Sequence, residues 1–130
     1  MKPQLLVLIH LSEASKAAIG SAFEIIYAPT ADTRAAAIAD TSKDVRVVLT
    51  NGSTGLTAAE MDTLGKLELA CALGAGYENI DTAHAAARGI KIATGAGTND
   101  DCVADHAMGL VLAIMRNIRQ LDLACREGIW

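Results

Sequence analysis

Aromatic residues and positive charges are scarce in this sequence of 130 residues. One Trp, two Tyr and one Phe make up 3% of the chain, and the net charge is −4. Proteins that bind nucleic acids usually present a basic stripe or aromatic rings on which bases stack. The composition therefore predicts that nucleic acid is not a partner.

Cysteine and histidine are too few and too scattered for a disulfide framework or a metal centre. The three cysteines are odd in number and have no C-x-x-C spacing, which favours reduced thiols. The histidines, His10, His84 and His106, share no spacing typical of metal ligands. We therefore predict no metal site.

Long apolar runs are missing as well. No stretch approaches the roughly 18 apolar residues that a membrane-spanning helix needs. The apolar run near the N-terminus, residues 5–9, is short for a secretory signal and is better explained as a strand. We expect no membrane partner and a cytoplasmic location.

What the sequence does contain is a regular alternation of strand and helix patterns. Hydrophobic residues make up 52% of the chain, and short apolar runs are separated by Ala-rich segments that begin with capping residues. This alternation predicts an α/β fold with a doubly wound, five-stranded parallel sheet in the order 2-1-3-4-5. The predicted strands are residues 5–9, 23–28, 45–50, 67–73 and 90–93.

The last part of the chain predicts one long helix that begins at about Asp100. Asn99 stands at its N-cap position, and Arg116 and Arg119 suit its C-terminal end. Residues 107–115, AMGLVLAIM, are apolar on every face, a pattern typical of a helix that is buried all round. We therefore expect this helix to pack against another domain or another subunit.

Small and polar residues are concentrated in three loops at the predicted carboxyl edge of the sheet, the edge at which ligands of such sheets bind. The loops cover residues 51–55, 74–79 and 95–99. Two of them contain Gly-Ala-Gly, but neither has the third glycine of the dinucleotide fingerprint G-x-G-x-x-G. The chain also lacks a G-x-x-x-x-G-K-[ST] loop and the acidic residues of a phosphorelay receiver.

Backbone N–H groups and neutral side chains are what these loops offer. Such groups suit a small carboxylate better than a polyphosphate, which needs positive charge around it. The alternative is that the glycines only form the tight turns between strand and helix.

Four stretches of the sequence together resemble the N-terminal part of the D-isomer-specific 2-hydroxyacid dehydrogenases. This family includes glyoxylate and hydroxypyruvate reductases and formate dehydrogenase. The resemblance covers essentially the whole chain. In order, the stretches are VVLTNGSTGLTAAEMDTLGKLEL, GAGYENIDTAHAAARGIKI, TNDDCVADHAMGLVLAIMRNI and REGIW.

The resemblance implies a flavodoxin-like substrate-binding domain over residues 1–98 and an interdomain and dimerisation segment over residues 99–130. In this family, backbone amides after strand four bind the substrate carboxylate, and the matching residues here are Ala75 and Gly76. Tyr77 either lines the pocket or only covers the loop. The implied substrate-binding residues are Asn51, Gly52, Ser53, Gly74, Ala75, Gly76, Tyr77 and Asn99.

The catalytic Arg, Glu and His of the family and its G-x-G-x-x-G loop have no counterpart in this chain. Asp100 matches a position near the nicotinamide that is often small or hydroxylated, so its carboxylate is a weak candidate for a cofactor contact. We therefore expect the substrate-binding domain of a dehydrogenase that uses NAD or NADP, with no catalytic residue in this chain and no tight binding of cofactor by the chain alone.

The resemblance further implies a small 2-oxo or 2-hydroxy acid as substrate and a homodimer formed through the helix after Asn99. The isolated chain is expected to be inactive. The alternative is a stand-alone module that binds a small carboxylate or mediates oligomerisation without catalysis. Neither the particular oxo acid nor the choice between NAD and NADP follows from the sequence.

Overall fold

The computed structural model describes residues 2–40 and 44–129. The chain divides into two compact units, Met1–Ala96 and Gly97–Trp130. In the first unit the elements are β1 (Gln4–Val7), α1 (Glu13–Gly20), β2 (Glu24–Tyr27), α2 (Ala31–Ala39), β3 (Val45–Thr50), α3 (Ala58–Thr63), β4 (Leu69–Ala72), α4 (Thr82–Ala87) and β5 (Lys91–Thr94). The second unit contains α5 (Asp100–Met115) and α6 (Ile118–Arg126).

The described strands form one parallel sheet in the order β2-β1-β3-β4-β5. β1 pairs with β2 and β3, and β4 pairs with β3 and β5. The predicted fold class and strand order are therefore confirmed. The order places the ends of β3, β4 and β5 side by side at one half of the carboxyl edge.

The central strand β1 is buried on both faces of the sheet. Its residues Leu5 and Val7 belong to one apolar cluster, while Leu6 belongs to another. Helices α2, α3 and α4 contribute buried residues to the cluster that contains Leu6, and Ile19 of α1 packs on the opposite one. Helices thus pack on both faces, as the doubly wound arrangement requires.

Side-chain caps begin the helices of the first unit. Ser12 and Asp81 each accept a backbone N–H three residues later, as their positions in the sequence predict. Thr57 and Glu60 form the predicted capping box: Thr57 Oγ1 accepts the N–H of Glu60 at 3.3 Å, and Glu60 Oε2 accepts the N–H of Thr57 at 2.8 Å. These caps determine where each helix begins after a loop.

The prediction of one long helix reaching Arg119 is wrong at its C-terminal end. α5 ends at Met115, and Asn117 adopts a left-handed conformation with φ 50° and ψ 34° before α6 begins. Asparagine is one of the few residues that tolerate this conformation, because its short side chain can form local hydrogen bonds. A break at Asn117 therefore replaces the continuous helix.

No residue of α5 or α6 is buried within this chain. Ile114 and Met115 are 76% and 74% exposed, respectively. Within the residues described, no helix has both the length and the apolar character to cross a membrane. The second unit thus presents an apolar surface that this chain alone leaves uncovered.

Candidate functional site

The candidate site lies at the carboxyl edge of the first unit's sheet. We name residues 51–55 the β3 loop and residues 74–79 the β4 loop. The next loop, after β5, contacts the β4 loop directly, because Gly95 donates its N–H to the carbonyl oxygen of Gly74 at 2.7 Å. Three successive strand ends therefore bring their loops together, as the sheet order requires.

The β3 and β4 loops touch backbone to backbone at Gly52 and Gly76. A Cβ on Gly52 would stand 2.8 Å from the carbonyl carbon of Gly76 and 2.9 Å from its oxygen. Real Cβ atoms essentially never come this close to other atoms. Glycine at position 52 is therefore needed for the close approach of the two loops.

Asn79 ties the same two loops together with three hydrogen bonds. Its N–H donates to the carbonyl oxygen of Gly52 at 3.3 Å, and its side-chain Nδ2 donates to that of Ser53 at 3.0 Å. Its own carbonyl oxygen accepts the N–H of Leu56 at 3.0 Å. The β4 loop is thus held in one register against the β3 loop.

The side chain of Asn51 shapes the β3 loop from within. Its Oδ1 accepts the Ser53 hydroxyl at 3.0 Å and the Thr54 N–H, three residues on, at 2.7 Å, so the side chain caps the turn. Beneath it, the fully buried Thr50 donates its hydroxyl to the carbonyl oxygen of Gly55 at 2.8 Å. The oxygen of the Asn51 amide is therefore engaged in the turn.

Arg34 supports the β3 loop from α2. Its guanidinium donates to the carbonyl oxygens of Thr54 and Gly55 at 3.1 and 3.3 Å, and it forms two bonds of 2.6 and 2.7 Å with the carboxylate of Glu60. Burial raises the pKa of that carboxyl, but the hydrogen bonds from Arg34 and Thr57 outweigh burial and hold the pKa below its ordinary value. Neither Arg34 nor Glu60 was singled out in the sequence as part of the site.

Ala75 and Gly76 carry backbone N–H groups that no described residue accepts. Ala75 is exposed and Gly76 is half-buried. Gly74, just before them, has a φ of +95° that favours glycine. Successive free N–H groups in a glycine-containing turn form a concave surface that suits an anion.

Three side chains flank this pair of N–H groups. Leu73 is 57% and Tyr77 is 50% exposed. The carboxylate of Glu78 lies over the two loops, because a Cβ on Gly76 would meet its oxygens at 2.7 and 2.9 Å and a Cβ on Gly52 would clash with its Oε2. Sequence reasoning missed Glu78 because it reads only as part of a polar turn.

Asn99 and Asp100 belong to the second unit, at the beginning of α5. Asn99 occupies the N-cap position, but its side chain makes no capping hydrogen bond. The expectation of a side-chain cap at Asn99 is therefore wrong, because its φ of −138° and ψ of 16° depart from the extended backbone of a typical N-cap. Asp100 is the first residue of the helix.

His84 is engaged on α4, outside the β3 and β4 loops. The Nε2 atom of His84 lies 2.8 Å from Oδ1 of Asp62, a contact that joins α4 to α3. Among the described residues, no three His, Cys, Asp or Glu side chains are grouped as metal ligands would be. The site is built from backbone amides and neutral side chains, with one carboxylate beside them.

The sequence matches the family model of the D-isomer specific 2-hydroxyacid dehydrogenase catalytic domain over residues 5–124. This chain belongs to that family. This match confirms the resemblance predicted from the sequence. The glycine-rich edge of the sheet therefore belongs to a domain that occurs in oxidoreductases of 2-hydroxy acids.

Known members of the dehydrogenase family resemble the chain in sequence and in structure. The D-3-phosphoglycerate dehydrogenase of Mycobacterium leprae is 28% identical over 98% of this chain and 24% of its own length. The 2-hydroxyacid dehydrogenase of Ketogulonicigenium vulgare has a TM-score of 0.89 at 29% identity over 98% of this chain and 40% of that one.

A third dehydrogenase has been solved together with a cofactor. This NADPH-dependent glyoxylate/hydroxypyruvate reductase of Sinorhizobium meliloti, in complex with NADP and malonate, has a TM-score of 0.80 at 30% identity, over 100% of this chain and 40% of that one. The chain therefore spans between about a quarter and two fifths of the length of these relatives.

The β4 loop does not match the G-x-G-x-x-G loop that binds a dinucleotide. Asn79 stands where the third glycine of a G-x-G-x-x-G loop would follow Gly74 and Gly76, and its backbone and side chain are engaged with the β3 loop.

Proposed function

We propose that this chain is the substrate-binding domain of an NAD- or NADP-dependent D-2-hydroxyacid dehydrogenase that reduces small 2-oxo acids such as glyoxylate or hydroxypyruvate. The observation that carries the proposal is the pair of free N–H groups on Ala75 and Gly76. They lie at the sheet edge where this fold binds ligands, in a chain that belongs to this family.

The N–H groups of Ala75 and Gly76 would hold the substrate carboxylate. Hydrogen bonds from N–H to an ionised oxygen are short and about twice as strong as neutral ones. Because the β3 loop is locked against the β4 loop, the two donors are positioned before the substrate arrives, which lowers the cost of orienting it. A fixed carboxylate in turn determines which face of the 2-carbon is presented.

The remaining site residues would complete the pocket around this carboxylate. Gly52 allows the close backbone approach, Gly74 provides the turn with its φ of +95°, and Asn51 and Ser53 would form the wall on the β3 side. Tyr77 would cover the open side. Asn99 and Asp100 belong to the second unit, and the family resemblance alone makes Asn99 a candidate for a substrate contact and Asp100 a weaker candidate for a cofactor contact.

Hydride transfer and proton transfer would be carried out outside this chain. By its family resemblance, the chain contains none of the Arg, Glu and His residues that the complete enzymes use. We therefore expect no oxidation of NADH or NADPH when the isolated 130-residue chain is mixed with glyoxylate. The helix after Asn99 would form a homodimer, and the free cysteines fit a cytoplasmic location.

The carboxylate site can be tested on the chain itself by NMR. Titration with glyoxylate should shift the amide resonances of Ala75 and Gly76 in a saturable way, while glycolaldehyde, which lacks the carboxylate, should not. Shifts confined to other loops, or equal shifts with both compounds, would exclude the proposed site.

Catalysis is tested separately. Rapid NAD(P)H oxidation by the isolated chain with glyoxylate would contradict the proposal that hydride and proton transfer need residues outside this chain. If a polypeptide that joins this chain to a dinucleotide-binding domain of the family binds NADPH and yet reduces neither glyoxylate nor hydroxypyruvate, the dehydrogenase proposal is lost.

A further inference from the structure

The side chain of Arg34 reaches from α2 to the last two residues of the β3 loop. Its Nη1 and Nη2 atoms donate to the carbonyl oxygens of Thr54 and Gly55 at 3.1 and 3.3 Å, respectively. The side chain is only 18% exposed, so water competes little for these contacts. Hydrogen bonds from a charged donor are about twice as strong as neutral ones. The end of the β3 loop is therefore fixed against α2.

Glu60, at the beginning of α3, sets the orientation of the Arg34 guanidinium. The Nε and Nη2 atoms of Arg34 donate to the two oxygens of the Glu60 carboxylate at 2.6 and 2.7 Å. A two-point pair of this kind holds the plane of the guanidinium, so that its other N–H groups face the loop carbonyls. The single ammonium group of a lysine cannot reproduce both sets of contacts.

The residue that follows this anchor contacts the β4 loop. Leu56 is fully buried, and it donates its N–H to the carbonyl oxygen of Asn79 at 3.0 Å. Leu56 also forms a parallel bridge with Ile80. The carbonyl of Gly55 that Arg34 holds is therefore directly next to the hydrogen bond that fixes the end of the β4 loop.

At its other end the β3 loop touches the backbone of Gly76. A Cβ on Gly52 would stand 2.8 Å from the carbonyl carbon of Gly76, and the carbonyl oxygen of Gly52 accepts the N–H of Asn79 at 3.3 Å. The turn between these contacts is closed by the N–H of Gly55, which donates to the carbonyl oxygen of Asn51 at 2.8 Å. Because the turn closes on itself, a displacement at Gly55 also moves the contact with Gly76.

We propose that Arg34 is a positioning residue for the carboxylate site: it acts through the β3 loop to hold the amides of Ala75 and Gly76 in place. The inference rests on the proposed function, in which these two amides bind the substrate carboxylate. Arg34 contributes through geometry, since the Glu60 carboxylate balances its charge. A loop that is ordered before the substrate arrives binds it more tightly, because binding then involves less ordering.

The affinity of the 130-residue chain for glyoxylate tests this role, with the amide resonances of Ala75 and Gly76 as the NMR readout. The test variant is Arg34→Gln, and Arg34→Lys is the conservative variant. Arg88→Gln is the matched control. The Arg88 side chain is 25% exposed and donates to the carbonyl oxygen of Met61, so it joins neighbouring elements as Arg34 does, but outside the two loops.

We expect Arg34→Gln to shift the two amide resonances of the ligand-free chain and to weaken glyoxylate binding by about 3- to 10-fold. Arg34→Lys should recover only part of the affinity, because it keeps the charge without the planar guanidinium. Arg88→Gln should lower the thermal unfolding midpoint as Arg34→Gln does, yet leave the glyoxylate affinity unchanged. All affinities are measured at a temperature at which circular dichroism shows each variant to be folded.

The outcomes separate this inference from the proposed function. If glyoxylate shifts neither amide in the wild-type chain, the carboxylate site itself is lost. If the wild-type chain binds and Arg34→Gln binds equally tightly, only the role of Arg34 is overturned.

Two further results would overturn the role of Arg34. Equal losses of affinity in Arg34→Gln and Arg88→Gln would show that general destabilisation is the cause. Full affinity in Arg34→Lys would show that the guanidinium geometry is not needed, and this variant decides alone if Arg34→Gln does not fold.

Discussion

The backbone of Asn79 lies against Gly55 at the place where any other residue would carry its Cβ. A Cβ on Gly55 would stand 2.5 Å from the Cβ of Asn79 and 2.6 Å from its carbonyl carbon, and Gly55 has a φ of +65°. Together with the Gly52–Gly76 contact, this approach means that the β3 loop has glycine at the two points where its backbone comes closest to the β4 loop. The position of the Ala75 and Gly76 amides depends on these contacts.

Replacement of Gly55 by alanine should therefore destabilise the chain strongly. A left-handed backbone costs a residue with a Cβ about 1–2 kcal/mol, and the clash with Asn79 adds to it, so we expect a loss of about 3 kcal/mol in the free energy of unfolding. Urea unfolding followed by circular dichroism measures this. Gly89→Ala is the matched control, because Gly89 has a φ of +73° with open space around it. Equal losses in the two variants would contradict the close contact with Asn79.

Glu60→Gln should remove a pH-dependent part of the stability. The pKa of the Glu60 carboxyl lies below its ordinary value of 4.5, because the hydrogen bonds from Arg34 and Thr57 outweigh the effect of burial. A carboxylate whose pKa is lowered by folding contributes stability above its unfolded pKa and loses it as the pH falls through the folded pKa. We expect the variant to be less stable by about 1–2 kcal/mol at pH 7, and the gap to close as the pH falls below 4.5.

Denaturant unfolding at several pH values between about 3 and 7 checks the Glu60 prediction. Glu68→Gln is the control, since it breaks a pair with Arg46 in which the two side chains are 60% and 50% exposed, respectively. Exposed ion pairs contribute little, so this control should follow the wild-type pH profile. A constant gap between wild type and Glu60→Gln at every pH would argue that the carboxylate charge is not what stabilises the loop.

The sheet could be predicted from the sequence, whereas much of the site could not. The strands followed from apolar runs alternating with capped helices, because burial on both faces leaves a continuous apolar pattern. Their order was predicted because it is a common one for five such units. The three site residues that were missed depend on contacts between distant parts of the chain. Arg34 meets Glu60 26 residues away, and Glu78 lies over Gly52. Side-chain positions of this kind have no signature in the local sequence.

The break after α5 was missed for a different reason. Asn117 lies within a run of good helix formers, and only its left-handed backbone separates α5 from α6. An asparagine in such a run is compatible with a continuous helix at a small cost in propensity. The sequence pattern alone therefore does not distinguish one helix from two.

Thr50→Val should lower the free energy of unfolding although the valine side chain has nearly the same shape as threonine. Thr50 is fully buried at the end of β3, and its hydroxyl donates to the carbonyl oxygen of Gly55 at 2.8 Å. Valine fills the same space but leaves the carbonyl oxygen of Gly55 with only the longer hydrogen bond from Arg34. We therefore expect a loss of about 1 kcal/mol in the free energy of unfolding. Thr63→Val serves as the control, because the Thr63 hydroxyl is exposed and should be replaceable at less than about 0.5 kcal/mol. Equal thermal unfolding midpoints for Thr50→Val and wild type would contradict the prediction.

The apolar surface of the second unit should drive self-association if the proposed homodimer forms. Ile114 and Met115 expose about three quarters of their surfaces, and Leu121 of α6 exposes 63%. Sedimentation equilibrium should show a dimer, and the double change of Ile114 and Met115 to Glu should raise its dissociation constant at least tenfold. Burying each of these side chains contributes about 1.5–3 kcal/mol, and about 1.4 kcal/mol corresponds to a factor of ten. The control is the double change of Ala17 and Ala18, which are exposed on α1, to Glu. This change adds the same two charges and should leave the dimer intact. A monomeric wild-type chain, or equal weakening by both pairs of changes, would show that this apolar surface has another role.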